Sequence, residues 1–258
     1  MVNKIIVLGS GTSINNYPSG YLLQINNKNY LIECSEGIRH RLQTLKIDYF
    51  DVDKIFISHF HPDHFNVETL IQSQMVRNYQ EKINKSLTVY GPPEVGERFE
   101  KIWDAKHNPG HFKNKLSDFI KVSFIEYRGG QKINVDGFTL TPYEVIHGNM
   151  PAYALRFEIE NKVFSYSGDT KECDGLNKAC RNANIFICEA NDKIGTNSSI
   201  GHLNAQQVGD LSAKNGVSNL ILSHLSGTNS EIELVNAVKE TRFKGELSVA
   251  SDLDVIEL

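Results

Sequence analysis

Ser58-His59-Phe60-His61-Pro62-Asp63-His64 places four potential metal ligands within six residues, directly behind the apolar run Lys54–Ser58. Two histidines at i and i+2 in an extended turn aim at one point. Asp63 and His64 then stand beside that point as the chain enters a helix. Imidazole and carboxylate donors suit zinc, manganese or iron, and the lack of nearby cysteine argues against a thiolate structural site. A lone surface histidine would carry no such weight. Here further ligand types recur downstream: His147 after the strand pattern Thr139–Ile146, Asp169 in Ser167-Gly168-Asp169-Thr170, and His224 after Asn219–Ser223. Each is the first functional side chain past an expected strand end, where loops converge at one edge of a sheet and ligands bind.

Working outward, short β-rich runs occur at Lys4–Leu8, Tyr21–Ile25, Tyr30–Glu33, Lys54–Ser58 and Leu87–Tyr90. Asn26-Asn27 makes a turn between the second and third. Apolar spacing predicts helices over Gly37–Leu45, Asn66–Tyr79 and Glu94–Lys106. The second half repeats the mixture. Phe138–Val145, Tyr153–Ile159, Lys162–Ser167, Ile185–Cys188 and Asn219–Ser223 read as strands, and Gly175–Asn182, Asn204–Asn215 and Ser230–Thr241 as helices. Strands interleaved with helices favour α/β layers over an all-β barrel or a helical bundle. With no Pro/Gly/Ser-rich linker between the halves, residues 1–258 are expected to form one domain.

A chain of 258 residues with 40% hydrophobic and 22% charged residues can bury a full core. A net charge of −4 lends no support to a surface that coats nucleic acid. The opening apolar run Ile5–Leu8 is too short for a signal-peptide core, and no later stretch approaches a membrane span. Cys34, Cys173, Cys180 and Cys188 show no CxxC spacing and are expected to be reduced and structural. The expectation is a cytoplasmic protein without membrane contact.

The ordered motifs HxHxDH, His, Asp and His resemble those of the metallo-β-lactamase superfamily, and the resemblance spans nearly the whole chain. It implies a four-layer αβ/βα sandwich with the site at one edge. It also implies two divalent metal ions, with His59, His61 and His147 on one, Asp63, His64 and His224 on the other, and Asp169 between them. Leu8-Gly9-Ser10-Gly11-Thr12, Ile32-Glu33-Cys34-Ser35-Glu36-Gly37, and Glu189-Ala190 followed by Gly201-His202-Leu203 are similar to segments of the tRNase Z-like branch. Two departures set the chain apart from that branch. The stretch from His147 to Asp169 is too short for a tRNA-gripping arm, and Leu225-Ser226-Gly227-Thr228 lacks a basic-aromatic pair. A small or nucleotide-type substrate is therefore expected, not tRNA. Dimers are frequent in the branch, so a homodimer is among the expectations.

Two such ions, zinc first with manganese or iron as alternatives, hold a bridging hydroxide and polarise a phosphoryl or carbonyl oxygen. Asp63 would accept the proton of the attacking water. His202 is the candidate general acid, kept charged by Glu189 or by a bound phosphate, with helix capping as the competing role. These residues point to a phosphodiesterase working through that metal-bridging hydroxide. A lactonase or glyoxalase II-like thioesterase is the alternative, an iron redox site a third class, and a non-catalytic nucleic-acid-binding module the weakest. His40, His107 and His111 receive no role. The segment Pro92–Lys121 reads as a surface helix and loop more than as a lid.

Overall fold

The structure, a computed structural model, describes residues 2–12, 14, 17–107, 116–196 and 201–258. Among the described residues, fourteen strands form two seven-stranded sheets. The first comprises β1 (Lys4–Gly9), β2 (Gly20–Ile25), β3 (Lys28–Ile32), β4 (Val52–Phe56), β5 (Ser86–Gly91), β6 (Lys121–Glu126) and β14 (Val255–Glu257), in the order β14-β1-β2-β3-β4-β5-β6. The second comprises β7 (Ile133–Val135), β8 (Phe138–His147), β9 (Met150–Ile159), β10 (Lys162–Tyr166), β11 (Ile185–Glu189), β12 (Asn219–Ser223) and β13 (Glu246–Val249), in the order β13-β12-β11-β10-β9-β8-β7. In each sheet one half is antiparallel and the other parallel: β3 to β6 and β10 to β13 run parallel.

Parallel neighbours require crossovers, and these are the helices. α1 (Ile38–Thr44), α2 (Val67–Glu81) and α3 (Val95–His107) connect β3 through β6. α4 (Asp174–Cys180), α5 (Ala205–Lys214) and α6 (Glu231–Lys239) connect β10 through β13. The period-two alternation of β1 shows why the sheets lie face to face. Ile5 and Val7 enter an inner core with Phe138, Leu140, Phe157 and Phe164, while Ile6 and Leu8 join a core under Ile38, Leu42, Leu70 and Phe99 of the first helical layer. Leu176, Val208, Leu211 and Leu234 cover the outer face of the second sheet. The result is the expected four-layer αβ/βα sandwich.

Element positions agree with the sequence reading to within a few residues. Asn26 and Asn27 take φ of 50° and 63°, the left-handed pair of a tight hairpin turn. β3 stops at Ile32 rather than running through Glu33, because Glu33 turns left-handed at φ 61°. β9 starts at Met150, earlier than expected. β6, β7, β13 and β14 were not foreseen. All four are sheet-edge strands of three to six residues, exposed or half-buried at every position but Val135, with little apolar alternation to mark them. All four cysteines are free. Among the described residues, no helix is long and apolar enough to cross a membrane.

Asp136, in the turn between β7 and β8, ties the two sheets together at their shared end. Its carboxylate accepts from Lys54 Nζ at 2.7 Å, Tyr30 OH at 3.1 Å and Lys28 Nζ at 3.2 Å. The hydrogen bond from Lys54 is the main reason its carboxyl sits below the usual range. A depressed carboxyl stabilises the fold above the unfolded-state pKa of about 3.9, and that contribution is lost as pH falls through the folded value. With the site partly solvent-screened, Asp136→Asn should cost roughly 0.5–1 kcal/mol at pH 7. Urea melts should show the gap to wild type closing once the pH falls below about 3.9. A gap unchanged in acid would remove the charge from the explanation.

Candidate metal centre

Past the end of β4, Ile57 donates its N–H to Tyr90 O at 2.9 Å and Ser58 carries the chain over the sheet edge. Ser58 N donates to the Glu33 carboxylate at 3.1 and 3.3 Å, and Ser58 O accepts from Tyr153 N at 3.1 Å, so both sheets hold this turn. His64 N and Phe65 N then donate to His61 O, each at 2.9 Å, curling His61–His64 into α2. His147 ends β8 and Asp169 follows β10. Gly168 between them takes φ 58°, where a side chain would come within 2.8 Å of Tyr153 O, so the turn that delivers Asp169 requires glycine. His224 follows β12 with φ 52°, a left-handed conformation that costs a non-glycine residue about 1 kcal/mol or more. The chain around it is fixed by Leu225 N donating to Ser10 O at 3.1 Å.

All seven expected ligands meet at this edge. Single ligand atoms of His59, His61, His147 and Asp169 lie within 4.8 Å of one another, as do those of Asp63, His64 and His224. Asp169 stands between the two groups. Its Oδ2 is 3.2 Å from His224 Nε2, 3.6 Å from His59 Nε2 and 3.8 Å from His147 Nε2, while Oδ1 is 3.4 Å from His64 Nε2. His61 Nδ1 lies 3.1 Å from both His59 Nε2 and His147 Nε2. His59, His64, His147, His224 and Asp169 are buried, and His61 and Asp63 stand at the opening. Two groupings had not been anticipated: Glu33 with His59 and His64, and His202 with Asp169 and His224.

The outward nitrogens explain which way the imidazoles point. His147 Nδ1 donates to Gly201 O at 2.9 Å, His224 Nδ1 lies 2.9 Å from Ser19 Oγ, and His59 Nδ1 lies 2.9 Å from Ser58 Oγ. His64 Nδ1 faces Glu33 Oε1 at 3.3 Å. With the outer nitrogens of His59, His147 and His224 engaged, their inner nitrogens face one another, His61 and the Asp169 carboxylate. Burial, the largest influence on each, holds His59, His61 and His147 below the ordinary histidine pKa and hence neutral. Burial also opposes charge on His64, but Asp169 and Glu33 on either side outweigh it and push its pKa up. Asp169 is buried too, yet His224, His64 and His59 hold its carboxyl well below the usual range. Both ring nitrogens of His64 and Asp169 Oδ1 are buried with no hydrogen-bond partner among the described residues. Such a convergence of acceptors in a dry space fits a cation, and the nitrogen and oxygen donor set fits a borderline divalent ion.

His202 sits at the rim. Its Nδ1 is 3.0 Å from both oxygens of Glu189, and its ring is 4.9 Å from that of His147 and 5.9 Å from that of His224. Burial pushes the Glu189 carboxyl up, but the backbone N–H groups of Thr170 (2.7 Å), Leu203 (3.3 Å) and Asn191 (3.4 Å) also donate to it. The proton of the pair therefore rests on the imidazole. Burial works against that charge, yet the hydrogen bond to Glu189 wins and raises His202 to about 9. The helix is capped by Asn204, whose side chain accepts from Gln207 N at 3.0 Å in a capping box, so the cap does not need His202.

His40 and His107 lie elsewhere. His40 is exposed on α1, and His107 stacks on Trp103 with ring centroids 3.8 Å apart on the outer layer. His111 and the rest of 108–115 lie outside the described residues, as do 197–200. Of Pro92–Lys121, α3 packs Val95 and Phe99 against the first sheet, as expected of a surface helix. Sequence reasoning gave no role to Ser19 or Ser58, and nothing in the residues flanking Ser19 could have revealed it.

The sequence model of the Anti-Pycsar protein Apyc1 family matches residues 3–237. The chain is 26% identical to the probable metallo-hydrolase YhfI of Bacillus subtilis (strain 168), over 96% of each chain. It is 25% identical to a ribonuclease Z of Methanosarcina mazei, covering 86% of this chain and 87% of that one. The crystal structure of the metallo-β-lactamase fold protein YhfI superposes with a TM-score of 0.85 at 25% identity, covering 100% of both chains. The short form of human tRNase Z superposes at 0.75 with 19% identity, covering 98% of each. The fold is that of the metallo-β-lactamases, as the motif order implied.

Proposed function

Starting from a chain that belongs to the Anti-Pycsar protein Apyc1 family, we propose a dinuclear metal-dependent phosphodiesterase acting on a small or nucleotide-derived phosphodiester. One observation carries the reading. Seven buried or rim side chains bring nitrogen and oxygen ligand atoms to one space, and a protonated imidazole stands beside it. His59, His61 and His147 would hold one ion, Asp63, His64 and His224 the other, and Asp169 would span both. Zinc suits these donors best, with manganese or iron as alternatives. When bound, such a pair supplies a water acidified to near neutrality and a Lewis-acid clamp on phosphoryl oxygens.

The protein's own groups do the rest. Asp63, at the opening, orients the attacking water and accepts its proton. His202, with Nδ1 occupied by Glu189, has Nε2 left to donate a proton to the leaving oxygen. Glu189 keeps that imidazole charged and in place. From His147 to Asp169 the chain is spent on β9, β10 and their turns, which supports a small substrate over one gripped by an inserted arm.

Zinc-loaded protein should hydrolyse an activated aryl phosphodiester at least ~10-fold faster than the matching phosphomonoester, about 1.4 kcal/mol in transition-state stabilisation. The diester carries one fewer charge to neutralise. Precursor tRNA should be cut poorly. Fast turnover of a lactone or thioester with no turnover of diesters would transfer the assignment to carboxylic esters.

A further inference from the structure

Nothing in the ligand set explains why His224, carried by the second sheet, faces the same point as the His59–His64 turn of the first. The answer lies in β2 and the residue before it. Ser19 is fully buried, and its Oγ lies 2.9 Å from His224 Nδ1 and 3.3 Å from Gly11 O. A carbonyl can only accept, so the Ser19 hydroxyl donates to Gly11 and its oxygen accepts from His224 Nδ1–H. In the neutral, metal-binding ring that direction leaves the lone pair on His224 Nε2, the nitrogen that lies 3.2 Å from Asp169 Oδ2. Two residues further, on the same face of the strand, Tyr21 OH meets Ser223 Oγ at 2.6 Å. Tyr21 and Ser223 are both buried. The first sheet thus grips two successive residues of the second, at the point where His224 takes its left-handed conformation.

We propose that Ser19 is a positioning residue, which with support from Tyr21 sets the tautomer and direction of His224 and thereby the affinity of the metal position that His224 serves. The inference rests on the two-metal reading above. Without the Ser19 oxygen, the buried Nδ1–H loses its acceptor, and the ring gains by moving its proton to Nε2, where it blocks coordination. Partners of this kind behind a metal-bound histidine are worth about 10–100-fold in metal affinity.

The test is competitive zinc titration of the full-length protein against a chromophoric chelator, with Ser165→Ala as the control. Ser165 is another fully buried hydroxyl, donating to Ala179 O at 2.6 Å, with no part in the metal centre. Ser19→Ala should weaken the second zinc by about 10–100-fold and leave the first within about threefold. Ser165→Ala should alter thermal stability and neither affinity. Ser19→Thr and Ser19→Val are equal in volume and differ only in the hydroxyl. Threonine should restore the second zinc and valine should not, which keeps the test decisive if the alanine variant is poorly folded. Tyr21→Phe should give a smaller loss in the same direction. Equal weakening of both ions, or two ions as tight in Ser19→Ala as in wild type, would overturn the proposal. A wild type that takes up one ion only would instead overturn the two-metal reading, so the two failures are distinguishable.

Discussion

Asp169→Ala should strip the centre of metal and abolish hydrolysis, a larger effect than any single histidine substitution among the ligands. Asp169 faces histidines of both groups, with His224, His59 and His147 near Oδ2 and His64 near Oδ1. Removing it takes a negative charge from the middle of both groups and leaves His64 Nε2 without its carboxylate, while Nδ1 still faces Glu33. Elemental analysis should fall from about two ions per chain to well under one, with activity reduced far beyond the roughly 10–100-fold typical of outer hydrogen-bond partners. His59→Ala and His224→Ala should each lose one ion predominantly. Asp169→Asn keeps the shape without the charge and should fall between wild type and alanine. Metal-replete wild type holding at most one ion would end the two-metal assignment.

The second large effect concerns His202, and it should depend on the leaving group. A nitrophenolate departs as a stable anion, whereas an alkyl or ribose alkoxide must be protonated as its bond to phosphorus breaks. General acid catalysis is typically worth about 10²–10⁴-fold. His202→Ala should therefore slow an alkyl or nucleoside phosphodiester by that range, spare the activated aryl diester and leave metal content unchanged. Glu189 supplies the pH dependence. It raises His202 to about 9, so turnover of the alkyl diester should decline as pH rises through a value no higher than this, since bound cations lower it. Glu189→Gln should shift that decline to lower pH while keeping the donor geometry. If both substrates slow equally, His202 binds phosphate or packs and does not donate a proton.

The metal-ligand candidates could be read directly from the residues, for a reason rooted in coordination chemistry. Few side chains bind a divalent ion, and in layered α/β folds they gather just past strand ends, so His59, His61, Asp63, His64, His147, Asp169 and His224 stood out locally. The inner strands were visible for a related reason: burial on both faces demands long apolar or alternating runs, as in Lys4–Gly9 and Ile185–Glu189. Edge strands such as Val255–Glu257 bury little and carry no such mark.

What the sequence by itself determined, then, was the succession of strands and helices and the side chains able to take part in coordination, the layer order being what the family resemblance implied. Only the tertiary structure decided their orientation. Ser19 and His224 are separated by 205 positions, His147 and Gly201 by 54, and Ser58 and Glu33 by 25. Hydrogen bonds across such separations arise from how two sheets pack, and no local pattern encodes them. Those at His147 and His224 select which nitrogen is left facing the metal site, and in His202 the contact with Glu189 selects which group keeps the proton.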